Sequence, residues 1–357
     1  MKSILHTIIL LFSLISFAET EIPGFLSRLE PLQNPQFVST PDQGHESLIE
    51  AFNQAQKSIQ VGIFGISDPK IADALSAALK RGVRVTVICD KYCTNNPKRA
   101  EIYNRLKAEG VEIYTASAGF SISHWKMFVI DEKKAFVSTM TFIIRTQQMR
   151  DVGVFLTNPS VISEILAVFK ADIENAKNQT AVTPELSQPN LVWSPNNSEE
   201  KLSQLILSAQ KSVEIWIENM GQQTIQAALK TVAARGVKVR LLTSECGMGM
   251  PSEMAFVNLK ELKDANIDVH VMPFPATTDI PYIHAKTIGV DRKTQFLGSE
   301  NFSTNSILNA RELGIIFQNE AIEAQMNSLF EKDWNHSNPL PASPPVTCSP
   351  LLSLVNW

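Results

Sequence analysis

A chain of 357 residues, 44% of them hydrophobic and 19% charged, has the apolar content of a packed globular protein, which excludes a disordered or fibrous chain. Its formal net charge of −4 argues against a duplex-coating protein, because nonspecific nucleic-acid binders are usually basic; a local basic groove stays compatible with it. The length suits one large domain or two ordinary ones.

Residues 1–18 have the form of a secretory leader. Lys2 supplies the positive start, Ile8 to Phe17 is apolar apart from Ser13 and Ser16, and Ser16-Phe17-Ala18 is a small-x-small cleavage site. The apolar run is shorter than the ~20 residues that span a bilayer, which favours a cleaved leader over an anchor. The expectation is an exported protein, secreted or periplasmic, whose charge becomes −5 once Lys2 is removed. In that setting Cys89, Cys93, Cys246 and Cys348 are free to pair, in a pattern the sequence leaves open. No zinc-type spacing accompanies them, and neither a metal nor a cofactor is expected.

The mature chain is written twice. Ala55-Gln56-Lys57-Ser58-Ile59 matches Ala209-Gln210-Lys211-Ser212-Val213, and each runs into an apolar stretch, Val61 to Phe64 or Ile215 to Ile217. An Ala-rich amphipathic helix follows, ending at Arg81-Gly82 and Arg235-Gly236, where glycine suits a left-handed cap. Then come a β-branched strand (Val83 to Ile88, Val237 to Leu242), another helix and a short strand (Val111 to Tyr114, Ile267 to Val271). Strands alternating with helices predict an α/β fold with a largely parallel sheet covered on both faces. The predicted division is a first half over 19–177, a connection rich in Asn, Pro, Ser and Thr over 178–200, a second half over 201–337, and a Pro-rich arm over 338–357.

Beyond the short strand of each half lies the same motif. His124-Trp-Lys126 is followed after four residues by Asp131, and His284-Ala-Lys286 by Asp291. In a strand, His and Lys two residues apart project from one face. Histidine serves as nucleophile or proton donor near neutrality, and lysine offers a positive charge to a phosphoryl oxygen. Two such pairs brought together by pseudo-twofold packing equip one site for two-step displacement at a phosphodiester. A second cluster begins seven residues after each Asp: Gly298-Ser299-Glu300-Asn301 in one half and Ser138-Thr139-Met140-Thr141 in the other. Arg311-Glu312-Leu-Gly314 and Arg150-Asp151-Val-Gly153 follow. Hydroxyl and amide donors fit a phosphate oxygen, and a carboxylate fits the far nitrogen of a catalytic histidine.

These residues resemble the phospholipase D superfamily, whose signature is a duplicated His-x-Lys-x4-Asp followed by Gly-Ser-x-Asn. The resemblance covers roughly Glu46 to Trp334. It implies two α/β/α halves, with mixed sheets packed pseudo-twofold, and one active site at their interface. It further implies His124 as nucleophile, His284 as general acid, and Lys126, Lys286 and Asn301 on the phosphate. Glu312 and Asp151 would orient the histidines, while Asp131 and Asp291, counted as motif members with His124, Lys126, His284 and Lys286 in the catalytic set, would have a supporting role there. The first half departs from the pattern, with Thr141 in place of Asn and Asp151 where Glu is common.

The expected substrate is a phospholipid, cleaved or transferred through a phosphohistidine and met at a transient membrane contact. A nuclease of the same superfamily is the alternative, and a noncatalytic phosphate-binding module a third. Met248, Met250, Met254, Phe256, Met272 and Phe274 fit either an apolar rim for acyl chains or local core. Lys91, Lys98 and Arg99 fit an anion-attracting patch or a solvated surface. Trp125 fits substrate stacking or interface filling, and His45, His270 and His336 are read as ordinary surface or core residues.

Overall fold

The repeated strand–helix alternation builds two sheets of one design. The computed structural model describes residues 24–144, 148–246 and 253–344. The expected leader, Met248, Met250, Cys348 and the end of the Pro-rich arm lie outside them. The first half runs β1 (Gln36–Thr40), α1 (Glu46–Gln54), β2 (Ser58–Ile63), α2 (Pro69–Lys80), β3 (Arg84–Cys89), α3 (Pro97–Glu109), β4 (Glu112–Thr115), β5 (Lys126–Ile130), β6 (Lys134–Ser138), β7 (Met149–Leu156) and α4 (Pro159–Asn178). The second half runs β8 (Leu191–Ser194), α5 (Ser198–Leu207), β9 (Ser212–Trp216), α6 (Gln223–Ala234), β10 (Lys238–Ser244), α7 (Glu253–Asp264) and β11 (Asp268–Met272). It continues through β12 (Tyr282–Ile283), β13 (Thr287–Val290), β14 (Thr294–Gly298), α8 (Thr304–Leu308), β15 (Glu312–Phe317), α9 (Glu320–Asn335) and β16 (Asn338–Pro339).

The spatial orders are β1-β7-β6-β5-β2-β3-β4 and β8-β15-β14-β13-β9-β10-β11-β16, so equivalent strands occupy equivalent places. Both sheets are mixed. β2, β3 and β4 are parallel, as are β9, β10 and β11, because helices cross between them. From the motif strands outward the pairing along each order is antiparallel, because β5–β6 and β13–β14 are hairpins, and β12 of the second half adds a short parallel pairing to β7. The predicted left-handed caps are present at Gly82 (φ +89°) and Gly236 (φ +86°).

Strand periodicity divides the apolar residues among three cores. Phe128 and Ile130 face α1–α3, and Ile288 and Val290 face α5–α7. Trp125, Met127 and Val129 point the other way, into a shared core with Leu297, Leu313 and Ile315 of the second sheet and with α4 and α9. Each fully buried side chain of this kind contributes roughly 1.5–3 kcal/mol, so this core fastens the halves together. Trp125 belongs to it: its ring lies 6.0 Å from Phe169 and 6.4 Å from Trp193, and a Cβ on Gly62 would sit 2.6 Å from the indole. Interface filling, not substrate stacking, is its place.

Two predicted boundaries change. Within the expected connection 178–200, Leu191–Ser194 forms β8 and pairs with β15, since its apolar Leu-Val-Trp outweighs the polar residues around it. The start of the expected arm, Asn338–Pro339, adds an edge strand to β11. Cys89 is disulfide-bonded to Cys93, and Cys246 is also disulfide-bonded.

Candidate active site

The third residue of each motif builds the hairpin and not the cleft. Asp131 and Glu132 have φ of +54° and +57°, and Asp291 and Arg292 of +53° and +55°. The Asp131 carboxylate accepts hydrogen bonds from the amides of Gln56, Lys57 and Ser58 at 2.6–3.1 Å. Asp291 does the same for Gln210, Lys211 and Ser212. At ~3.3 Å per strand residue, each carboxylate stands about 16 Å along the strand from its lysine. Counting Asp131 and Asp291 with the catalytic set on motif membership is therefore corrected: they tie the start of β2 and β9 to the turn after β5 and β13.

The histidines are oriented crosswise. His124 Nδ1 lies 3.0 Å from Glu312 Oε2 of the second half, and His284 Nδ1 lies 2.8 Å from Asp151 Oδ1 of the first. Backbone pairing across the interface enforces this. The amides of His124 and Trp125 donate to Arg311 O, and those of His284 and Ala285 to Arg150 O. In each case the acceptor immediately precedes the carboxylate in sequence. Arg150 is itself locked by a two-pronged contact to Asp333 at 2.7 and 3.0 Å, and Arg311 Nη2 by Asp172 at 3.2 Å. The carboxylates are held in turn: Ser306 donates to Glu312, and Thr139 to Asp151 at 2.5 Å.

With Nδ1 engaged by a carboxylate, each histidine directs Nε2 into the site. The two present different surroundings. His124 Nε2 is 3.0 Å from Lys126 Nζ, so it offers a lone pair to an ammonium. His284 Nε2 is 3.8 Å from Glu218 Oε2, so it faces a carboxylate. Glu218 also accepts from Lys286 Nζ at 2.8 Å, Asn301 Nδ2 at 3.1 Å and Tyr282 Oη at 3.0 Å.

The charges of the two half-sites act on each other. Burial, and then the Lys126 charge, pull His124 below its ordinary range against the opposing pull of Glu312; Lys286 adds to the depression. Lys126 is pushed down to about 7, first by burial and then by the Lys286 charge. Burial alone would raise Glu218, but Lys286 and His284 outweigh it and hold the carboxyl well below the usual range. A buried lysine whose ammonium form is disfavoured by a second positive charge gains most from an anion placed beside it.

The remaining predicted residues have other places. Ser299 Oγ accepts from Leu313 N, bracing β15, while its carbonyl oxygen lies 3.3 Å from His124 Nδ1. Thr141 is buried just beyond β6, and Thr139 is the hydroxyl that reaches Asp151. Met272 is core, and Met254 is exposed on α7. His45 pairs with Asp68, His270 stacks on Trp334, and His336 Nδ1 lies 2.7 Å from Lys332 O. Sequence reading missed Glu218 and Glu300. The signal for Glu218 was a charge at the end of an apolar strand, where the repeat puts Phe64; the Phe64 ring meets His124 edge-on at 5.6 Å. Glu300 is fully buried, with no hydrogen-bond partner for either carboxyl oxygen.

A domain family described as "Cardiolipin synthase, PLD-like domain" matches residues 48–173 and 202–334. The chain is 24% identical over 373 residues to phospholipase D Z of Dictyostelium discoideum, covering 85% of this chain and 86% of that protein. It is 26% identical over 239 residues to the 5'-3' exonuclease PLD3 of Xenopus tropicalis, covering 60% of this chain and 47% of the other. In fold it is similar to phosphatidylserine synthase of Haemophilus influenzae Rd KW20, with a TM-score of 0.68 at 14% identity, covering 90% of this chain and 92% of that one. The doubled motif, the paired sheets and a family match over both halves lead to one conclusion: the chain belongs to the phospholipase D superfamily.

Proposed function

We propose that the protein is an exported phosphodiesterase that hydrolyses phospholipids, or transfers their phosphatidyl group, through a covalent phosphohistidine. The crosswise histidine–carboxylate pairing carries this reading. His124 Nε2, its lone pair directed by Glu312, attacks phosphorus; a P–N bond forms as the bond to the leaving oxygen breaks. His284 Nε2 gives that oxygen its proton. The neutral imidazole of His284 then takes a proton from water or an alcohol, whose oxygen attacks phosphorus and breaks the P–N bond. Lys126, Lys286 and Asn301 neutralise the phosphoryl oxygens. The side chain of His124 is 14% exposed and that of His284 fully buried, which suits a nucleophile at the mouth and an acid at the base.

A lipid substrate would be suited by exposed apolar side chains. Tyr92, Ile144, Met254, Val257 and Leu308 are large and exposed, on segments that lead into or out of site residues. The similarity to a phospholipase D and to a phosphatidylserine synthase agrees with that choice. Export rests on the leader-like residues 1–18, and the Cys89–Cys93 disulfide suits an oxidising compartment.

Purified protein should cleave phosphatidylcholine or phosphatidylglycerol vesicles in preference to single-stranded DNA, and rapid quenching in alkaline denaturant, which spares the acid-labile P–N bond, should trap the phosphatidyl phosphorus on His124. Cleavage of DNA alone would replace lipid by nucleic acid. Full activity in His124→Ala and His284→Ala would overturn the chemistry.

A further inference from the structure

Arg99 sits in the first turn of α3 with 5% of its surface exposed, and its Nε is buried without a hydrogen-bond partner. Its guanidinium lies 5.8 Å from the centre of the Phe64 ring, which also meets the His124 ring at 5.6 Å. It runs across Gly65, where an added Cβ would stand 2.8 Å from Nη1. Both neighbours lie just beyond β2, at the carboxyl ends of the parallel strands, where open α/β sheets bind their ligands.

The polar groups around it are committed elsewhere. Asp90 lends one oxygen to the amide of Tyr92 and the other to that of Ser123, and the Tyr103 hydroxyl accepts from Ile66 N. Among the described residues, no carboxylate forms an ion pair with Arg99. A buried guanidinium is costly unless something pairs with it, and five N–H donors in a fixed fork suit a phosphate or carboxylate. The repeat sharpens the contrast, since Glu218 fills the second half's equivalent of Phe64 and already neutralises Lys286.

We propose that Arg99 forms a second anion subsite beside His124, receiving a negatively charged group that the substrate carries in addition to the scissile phosphodiester. The favoured substrates are then phospholipids with a second phosphate or carboxylate, an assignment that rests on the lipid reading above.

The test measures binding by calorimetry, with glycerol 1,3-bisphosphate and glycerol 1-phosphate as probes. Wild-type protein should bind the bisphosphate about tenfold or more tightly than the monophosphate, the scale of one charge-assisted contact. In Arg99→Met that ratio should fall close to the factor of two expected from having two phosphates, and Arg99→Lys should keep part of it. Gly65→Ala, which leaves the charge but displaces Nη1, should lower the ratio as well and covers the case in which Arg99→Met does not fold. A ratio near two in wild type, or one that Arg99→Met leaves unchanged, overturns the subsite. A second arm compares a bis-phosphatidyl lipid with phosphatidylcholine. Protein that keeps the probe ratio yet cleaves neither lipid retains the subsite and loses the lipid reading, whereas lipid cleavage without the ratio does the reverse.

Discussion

Glu312 and His124 are separated by 188 residues in the chain and by 3.0 Å in the fold. The pairing is repeated in reverse by Asp151 and His284, so neither half contains a complete histidine. Each half supplies one imidazole and orients the other.

Because the carboxylates serve different histidines, removing them should have different signatures. In Glu312→Gln the attacking tautomer is lost, and kcat/KM should fall about 10⁴-fold with any leaving group, by analogy with the cost of an amide beneath a catalytic histidine. In Asp151→Asn the loss should be as large with an alkyl leaving group, but first-turnover release of p-nitrophenolate, which needs no proton, should stay within about tenfold of wild type. Rapid-quench kinetics on both ester types measures this. Equal losses on both esters in Asp151→Asn would contradict the assignment of His284 as the acid.

Asp131 predicts a stability effect. Burial pulls its carboxyl up, but hydrogen bonds from Ser58, Lys57 and Gln56 outweigh burial and hold it below its ordinary range. Asp131→Ala should cost about 1.5–3 kcal/mol, the scale for hydrogen bonds to a charged group, and lower Tm by several degrees. The turnover of molecules that remain folded should change less than about threefold. A depressed folded-state pKa stabilises above the unfolded pKa and loses that effect as pH falls through the folded value. The Tm gap between variant and wild type should therefore narrow in acid.

Glu300 predicts the opposite pH trend. Burial, and then the neighbouring Glu312 charge, raise its carboxyl well above the ordinary value. The folded state thus holds a proton that the unfolded state releases, and stability is lost as pH rises above the unfolded pKa. Glu300→Met, which copies the buried Met140 of the first half, should raise Tm by a few degrees at pH 8 and by less at pH 5. A variant less stable than wild type at pH 8 would contradict the neutral, unpartnered carboxyl.

Lys126, held at about 7 by burial and Lys286, links anion binding to protons. A bound phosphate analogue such as vanadate favours the ammonium form, so binding near pH 7.5 should take up close to half a proton or more, and affinity should fall as pH rises through 7. Calorimetry in buffers of different ionisation enthalpy measures the uptake. Lys126→Met should abolish it.

Much of the protein was legible in the sequence because the signals are local. Period-two and period-3.6 patterns, glycine after each Ala-rich helix, and a His-x-Lys that a strand must display on one face all act within about ten residues. Duplication then implied a shared site. Proximity in the chain also misled: Asp131 and Asp291 lie within the motif, yet five extended residues carry each one away from its lysine to the hairpin. β8 was hidden for a related reason, because three apolar residues among Asn, Pro and Ser become a strand through pairing with β15.

The rest depends on which distant segments meet. Nothing near Glu312 in the chain says that it belongs to His124, nothing near Glu218 says that it faces His284 and Lys286, and nothing near Arg99 says that it is buried without a partner. Those relationships arise when Trp125, α4 and α9 clamp the sheets together and the backbone carbonyls of Arg150 and Arg311 receive the opposite motif. The physical reason is one of range. Local periodicity fixes which way a side chain points from its own strand, whereas desolvation and charge pairing depend on every segment brought within a few ångströms by the shared core.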